Sequence, residues 1–176
     1  GLIEELEFVA KAWYAVFPDD KAPDGRHVEK VIVGGNHDWE GWKYGKQGEK
    51  RYPDPKELAA HRIMDNYAEV WKRLFHEDFA KNIRKEVKGY AFLGAHWPWH
   101  DAAGAKWLDA SKPFFYVHHP HPAGTVYATP NGAEDGSDDN GYVTAVLEKH
   151  PNAVAFSGHS HRSLTNERSI WQGAFT

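Results

Sequence analysis

Three short polar clusters hold most of the side chains in this chain that could do chemistry: Asn36-His37-Asp38, His118-His119-Pro120 and Gly158-His159-Ser160-His161. Histidine offers a neutral imidazole nitrogen and asparagine a carbonyl oxygen. Both suit borderline divalent cations such as zinc, manganese or iron. A His-x-His on a loop or strand can direct both rings to one side, toward one cation or two adjacent ones. A His followed by Asp is an acid–base pairing in which the carboxylate orients the ring. The twelve histidines are unevenly spread, with His118, His119 and His121 together and His159 close to His161. Local histidine clustering is a metal-site cue. The residues alone therefore point to a His/Asn metal site with a His-Asp pair beside it.

Such clusters need elements to hold them. Leu2, Leu6, Val9 and Trp13 recur at helical spacing and predict a helix over 2–16, stopped by Pro18. Val28 to Val33 reads as a short buried strand running into Gly34-Gly35. Asp54-Pro55-Lys56-Glu57 is a helix start, and the helix is expected to continue to about Phe75 with Ile63, Tyr67, Val70, Trp71 and Leu74 on one face. Strands are expected at 89–94, at 112–117 and at 152–157, with helices at 101–110 and 142–149. The last residues, Ser169 to Thr176, also read as strand. Alternating strands and helices imply a single α/β domain. Each polar cluster then follows the carboxyl end of an expected strand, where sites of open α/β sheets assemble.

Gly35-Asn36-His37-Asp38, His118-His119-Pro120 and Gly158-His159-Ser160-His161, in that order and each behind an expected strand, resemble three motifs of the calcineurin-like metallophosphoesterases. The resemblance spans about residues 28–161. It implies an α/β fold of the family's αββα sandwich type and hydrolysis of a phosphomonoester or phosphodiester. Two divalent metal ions (zinc, manganese or iron) would clamp the attacking and leaving oxygens from about 3.5–4 Å apart. Asn36, His118 and His159 would ligate one metal and His161 the other. His37 would stabilise or protonate the leaving oxygen, with Asp38 orienting it. The nucleophile would be a metal-activated hydroxide. Trp39, Trp42 and Lys43, directly behind the first motif, are the candidates for substrate contacts.

One departure matters. The family pattern opens with Asp-x-His and Gly-Asp-x-x-Asp, and neither occurs between Gly1 and Gly34. The expectation is a domain incomplete at its amino-terminal end, with the missing ligands ahead of Gly1 in a longer chain. The 176 residues by themselves are then expected to bind metal weakly and hydrolyse little. The alternatives are a degenerate relative serving as a binding or structural module, and a mononuclear hydrolase of amides or esters.

Composition narrows the field. There is no cysteine, which excludes disulfides, thiolate zinc sites and cysteine nucleophiles. A net charge of -4 with histidine neutral argues against dedicated nucleic-acid binding, and the resemblance implies a small-molecule phosphoester as the partner. No apolar run approaches a membrane span. Tyr90, Trp97, Trp99 and Trp107 read first as core or rim aromatics and second as pocket walls. His96 and His100 are expected in a loop. The acidic run Glu134 to Asn140 lacks the spacing of an EF-hand and reads as a solvated loop.

Overall fold

The computed structural model describes residues 1–44, 47–97, 109, 111–126, 142–159, 161, 163, 165 and 169–176. The protein is mixed α/β, with a four-stranded mixed sheet and six α-helices among the described residues. It packs as two compact units, residues 1–30 with 36–80 and residues 31–35 with 81–176. The expected helix at 101–110 and the acidic run 134–140 lie outside the described residues, as do Trp99, His100, Trp107 and Ser160.

The first unit is helical. Helix α1 (Ile3–Val16) opens with the Glu5 carboxylate accepting from the Leu2 N–H at 2.9 Å. Helix α2 (Asn36–Tyr44) is followed by the short α3 (Gln47–Arg51). Helix α4 (Pro55–His61) starts as expected, with the Asp54 carboxylate accepting from the N–H groups of Lys56 and Glu57 and proline in the first turn. The long helix expected from there to Phe75 is broken instead. Arg62 takes an extended conformation, with φ -81° and ψ 134°, and separates α4 from α5 (Ile63–Phe75). Arg62 also bridges to Leu2 in antiparallel fashion, and the Ile63 N–H donates to the Gly1 carbonyl. A backbone pairing therefore overrides helical propensity at one residue.

Helix α5 buries Ile63, Val70, Trp71 and Phe75, close to the face its periodicity marks out. Its Trp71 and Tyr67 meet Phe79 and Trp39 in a cluster of tilted and edge-to-face rings. Beside this core, the ammonium of buried Lys30 lies 2.6 Å from Asp20 and 3.5 Å from Glu77. The Trp13 indole N–H also donates to Asp20. The pair is satisfied on several sides, as a buried charge requires.

The second unit is built on the sheet, in the order β1 (Asn82–Val87), β2 (Tyr90–Ala95), β3 (Phe114–His118), β4 (Ala153–Ser157). β1 and β2 form an antiparallel hairpin closed by Lys88-Gly89, both with positive φ. That is the twist a two-residue hairpin turn needs, and glycine supplies half of it without a Cβ penalty. β2, β3 and β4 are parallel. The short α6 (Tyr142–Leu147) precedes β4, and its Val143 and Leu147 pack on Leu93, Phe114, Tyr116, Ala153 and Phe175 to form the core. β1 escapes a sequence reading because Arg84 and Glu86 alternate with half-buried Ile83, Lys85 and Val87, so only one side of the strand is apolar.

Two expected strands are corrected. Val28 to Val33 is not hydrogen-bonded into the sheet. Its Val31 and Val33 side chains instead lie over Gly94 of β2, 3.3 and 3.1 Å from where a Cβ would stand, so its apolar character serves packing. Ser169 to Thr176 is irregular until its final residue, where Thr176 exchanges hydrogen bonds with Ala153 and Ala155 of β4.

Candidate functional site

Three parallel strands end on the same side of the sheet. Ala95 of β2, His118 of β3 and Ser157 of β4 are in register, so the residues just beyond them are neighbours. These are His96-Trp97, His119 and Gly158-His159. The strand-end placement expected for the second and third clusters therefore holds, and β2 contributes a third member, His96-Trp97, of which His96 reads as loop and Trp97 as a core or rim aromatic in the sequence.

The central contact is between two imidazoles. His159 Nδ1 lies 3.1 Å from His119 Nε2, with ring centroids 4.9 Å apart and planes nearly perpendicular. The Trp97 indole stacks on His159 at 22° and meets His119 edge-on at 89°. The Gly158 N–H donates to the His119 carbonyl at 2.9 Å and ties the two strand ends together. On another side, a Cβ placed on Gly35 would fall 2.5 to 2.8 Å from three atoms of the His119 ring. No real side chain tolerates that approach, so the position is open to glycine alone unless the ring moves.

Strand parity separates His118 from His119. Along β3, Phe114, Tyr116 and His118 are buried on one face while Phe115 and Val117 point to the other. His118 thus belongs to the core face, is only 2% exposed and lies against the Tyr116 ring at 5.6 Å. His119, one residue on, is the ring that meets His159. His121 is fully buried.

The aim of His159 has a backbone cause. Its φ is +65° and that of His161 is +52°, the left-handed region that non-glycine residues seldom occupy. Such conformations cost on the order of 1–3 kcal/mol and concentrate at functional sites. His161 is exposed.

His96 is fully buried, and its Nδ1 accepts from the Gly34 N–H at 2.9 Å. Burial lowers its pKa to about 4, so it is neutral at physiological pH.

Asn36, His37 and Asp38 occupy the first turn of α2, in the first unit. No strand precedes them among the described residues, which corrects the expected strand-end setting of this cluster. Asn36 is buried, His37 exposed and Asp38 half-buried. As consecutive helical residues, His37 and Asp38 point about 100° apart around the helix axis. Trp39 is 2% exposed and sits inside the aromatic cluster with Tyr67 and Phe79, so packing accounts for it. Trp42 and Lys43 lie on α2, with side chains outside the described residues.

The His119–His159 pair fits a divalent cation. Two imidazole nitrogens each about 2.0–2.1 Å from one zinc ion stand about 2.9–3.4 Å apart at octahedral to tetrahedral angles. The 3.1 Å separation lies in that range. The contact also meets the geometry of a direct N–H···N hydrogen bond, whereas a shared cation needs both nitrogens unprotonated and turned toward a common point. Among the described residues, no group of three or more His, Cys, Asp or Glu side chains is gathered to hold a metal. No helix among them is long and apolar enough to cross a membrane. In comparisons with known proteins, no family model, no curated protein and no solved structure matches this chain.

Proposed function

We propose that this chain contributes to a metal-dependent phosphoester hydrolase, with His119 and His159 as two ligands of one divalent cation at the carboxyl ends of β3 and β4. The observation that carries this reading is the 3.1 Å separation of the two nitrogens, held by strand register, by the Gly158–His119 backbone bond and by Gly35. The phosphoester class rests on the order and residue types of the three motifs. His161, two residues beyond His159, is the further ligand this reading assigns, and the ligand role of Asn36 rests on the sequence motif alone. The ligand role expected of His118 passes to His119. A second metal and the αββα sandwich remain part of the proposal.

When bound, a divalent cation polarises a phosphoryl oxygen and makes water acidic near neutral pH. The chain's own residues would orient and exclude. Trp97 walls the histidine pair and keeps solvent from one side of it. The proton-donating role of His37 rests on the sequence motif alone.

Calorimetric titration with zinc and with manganese tests the metal claim, and a panel of mono- and diester nitrophenyl phosphates, with nitrophenyl esters and anilides as controls, tests the reaction class. Weak metal binding that vanishes in H159A, with little phosphoester release by these 176 residues alone, is the expected result. Absence of metal binding would overturn the reading in favour of a non-catalytic module. Turnover of anilides alone would favour an amide hydrolase.

A further inference from the structure

Gly34 is held from two sides by the residues that follow β2. Its N–H donates to His96 Nδ1 at 2.9 Å, and its carbonyl accepts from the Trp97 N–H at 2.9 Å. An imidazole nitrogen that accepts carries no proton, so His96 presents Nδ1 as a fixed acceptor and bears its hydrogen on Nε2. The ring is fully buried and packed in place. Fixing both polar groups of Gly34 also fixes the plane of the next peptide and the position of the Gly35 Cα. That Cα is the surface against which the His119 ring rests, close enough that a Cβ would overlap its Nδ1, Cε1 and Cγ. The same ring's Nε2 faces His159 Nδ1 at 3.1 Å. One continuous chain of contacts therefore runs from His96 through Gly34 and Gly35 to the His119–His159 pair.

We propose that His96 is a positioning residue: by accepting from the Gly34 N–H it sets the Gly34-Gly35 backbone as a stop for the His119 ring and so sets the His119–His159 separation. Its effect on cation affinity rests on the metal-site reading, whereas its effect on the ring does not. Partners that orient metal ligands from behind typically change affinity 10- to 100-fold when removed. His96 differs from the usual case in acting through a backbone segment instead of through a hydrogen bond to the ligand itself.

Three variants of the full chain separate positioning from mere packing. H96N keeps an acceptor oxygen at the bond distance of Nδ1 from the backbone, H96Q carries it one bond farther out, and H96L removes it. Long-range proton–nitrogen NMR spectra of the metal-free protein read the His119 ring directly. The His119 nitrogen resonances are expected to move in H96Q and H96L and to return to wild-type positions in H96N. Zinc titration is expected to follow the same order, with affinity reduced about 10-fold or more in H96Q and H96L. H96Q keeps a polar side chain in the buried site and carries the test if H96L does not fold. Unchanged His119 resonances in H96Q, whatever happens to thermal stability, would overturn the proposal. A wild-type chain that binds no zinc but shows the NMR pattern would sink the metal reading and leave His96 as the positioning residue.

Discussion

His119 Nε2 and His159 Nδ1 face each other at 3.1 Å from the ends of two adjacent parallel strands, while His118, the residue next to His119, is turned into the core. Neighbours in sequence thus have different work. H119A and H159A are each expected to weaken zinc binding at least about 10-fold with little loss of stability. H118A is expected to leave zinc affinity near the wild type and to cost roughly 2 kcal/mol or more, as large-to-small changes in cores do. Paired zinc titrations and urea unfolding curves check both halves. An H118A variant that loses zinc yet keeps its stability would reverse the assignment.

Gly35 presses on the His119 ring without a left-handed backbone of its own, so its constraint is space alone. G35A is expected to displace the ring from His159 and to cost about 1–3 kcal/mol, the range for forcing an extra carbon into a packed site. Zinc affinity should fall with it. If G35A binds zinc as the wild type does, the ring has room that the geometry denies.

His159 carries its side chain on a left-handed backbone. Glycine visits that region freely, whereas alanine pays for its Cβ. H159G is therefore expected to be more stable than H159A by about 1 kcal/mol, with zinc binding lost in both. Equal stabilities in urea would mean that the strained conformation relaxes in the unmutated protein.

Acid should act on the second unit first. His96 has its pKa lowered by burial from the ordinary 6.5 to about 4. Between those values the unfolded chain binds a proton at this position that the folded chain does not, so stability rises with pH across the window. The contribution is fully present above pH 6.5 and is lost as pH falls toward about 4, amounting to roughly 3 kcal/mol. H96N, which does not titrate, is expected to flatten the pH dependence of unfolding in that window. A wild-type profile already flat there would contradict the burial of a neutral ring.

In the first unit the sensitive group is Asp20. Burial opposes its ionisation, but the Lys30 ammonium and the Trp13 indole N–H outweigh burial and hold its carboxyl below the usual value. The stability it supplies is present above the ordinary carboxylate range and is lost only as pH falls below that range, through the depressed folded value. D20A takes the nearer carboxylate from the buried Lys30 ammonium, leaving Glu77 at 3.5 Å, and is expected to cost up to about 3–5 kcal/mol, whereas the double variant D20N/K30M, which removes both charges, is expected to be milder. Chemical unfolding of the two variants at neutral pH checks the asymmetry.

Much of the second unit was readable along the chain. The strands 90–95, 114–118 and 153–157 stand within a residue or two of expectation because each is a short apolar run bounded by turn residues or proline. The cap at Asp54 was readable because its chemistry is local. Strand β1 was hidden by its charged face. The break at Arg62 was hidden because its cause is a pairing with Leu2, sixty residues away. His96 reads as a loop residue and Trp97 as a core or rim aromatic, and only the alignment of Ala95 with His118 and Ser157 brings them beside the histidine pair.

By itself the amino-acid order determined that histidines would stand at the ends of β3 and β4, since apolar runs leading into His118 and Gly158-His159 make strands wherever they pack. It could not determine which ring of His118 and His119 turns outward, nor which residue meets His159. Those outcomes depend on strand parity, on register between strands and on the closeness of a glycine backbone from elsewhere in the chain. A side chain's partner is set by where other segments fold, and that information is nonlocal.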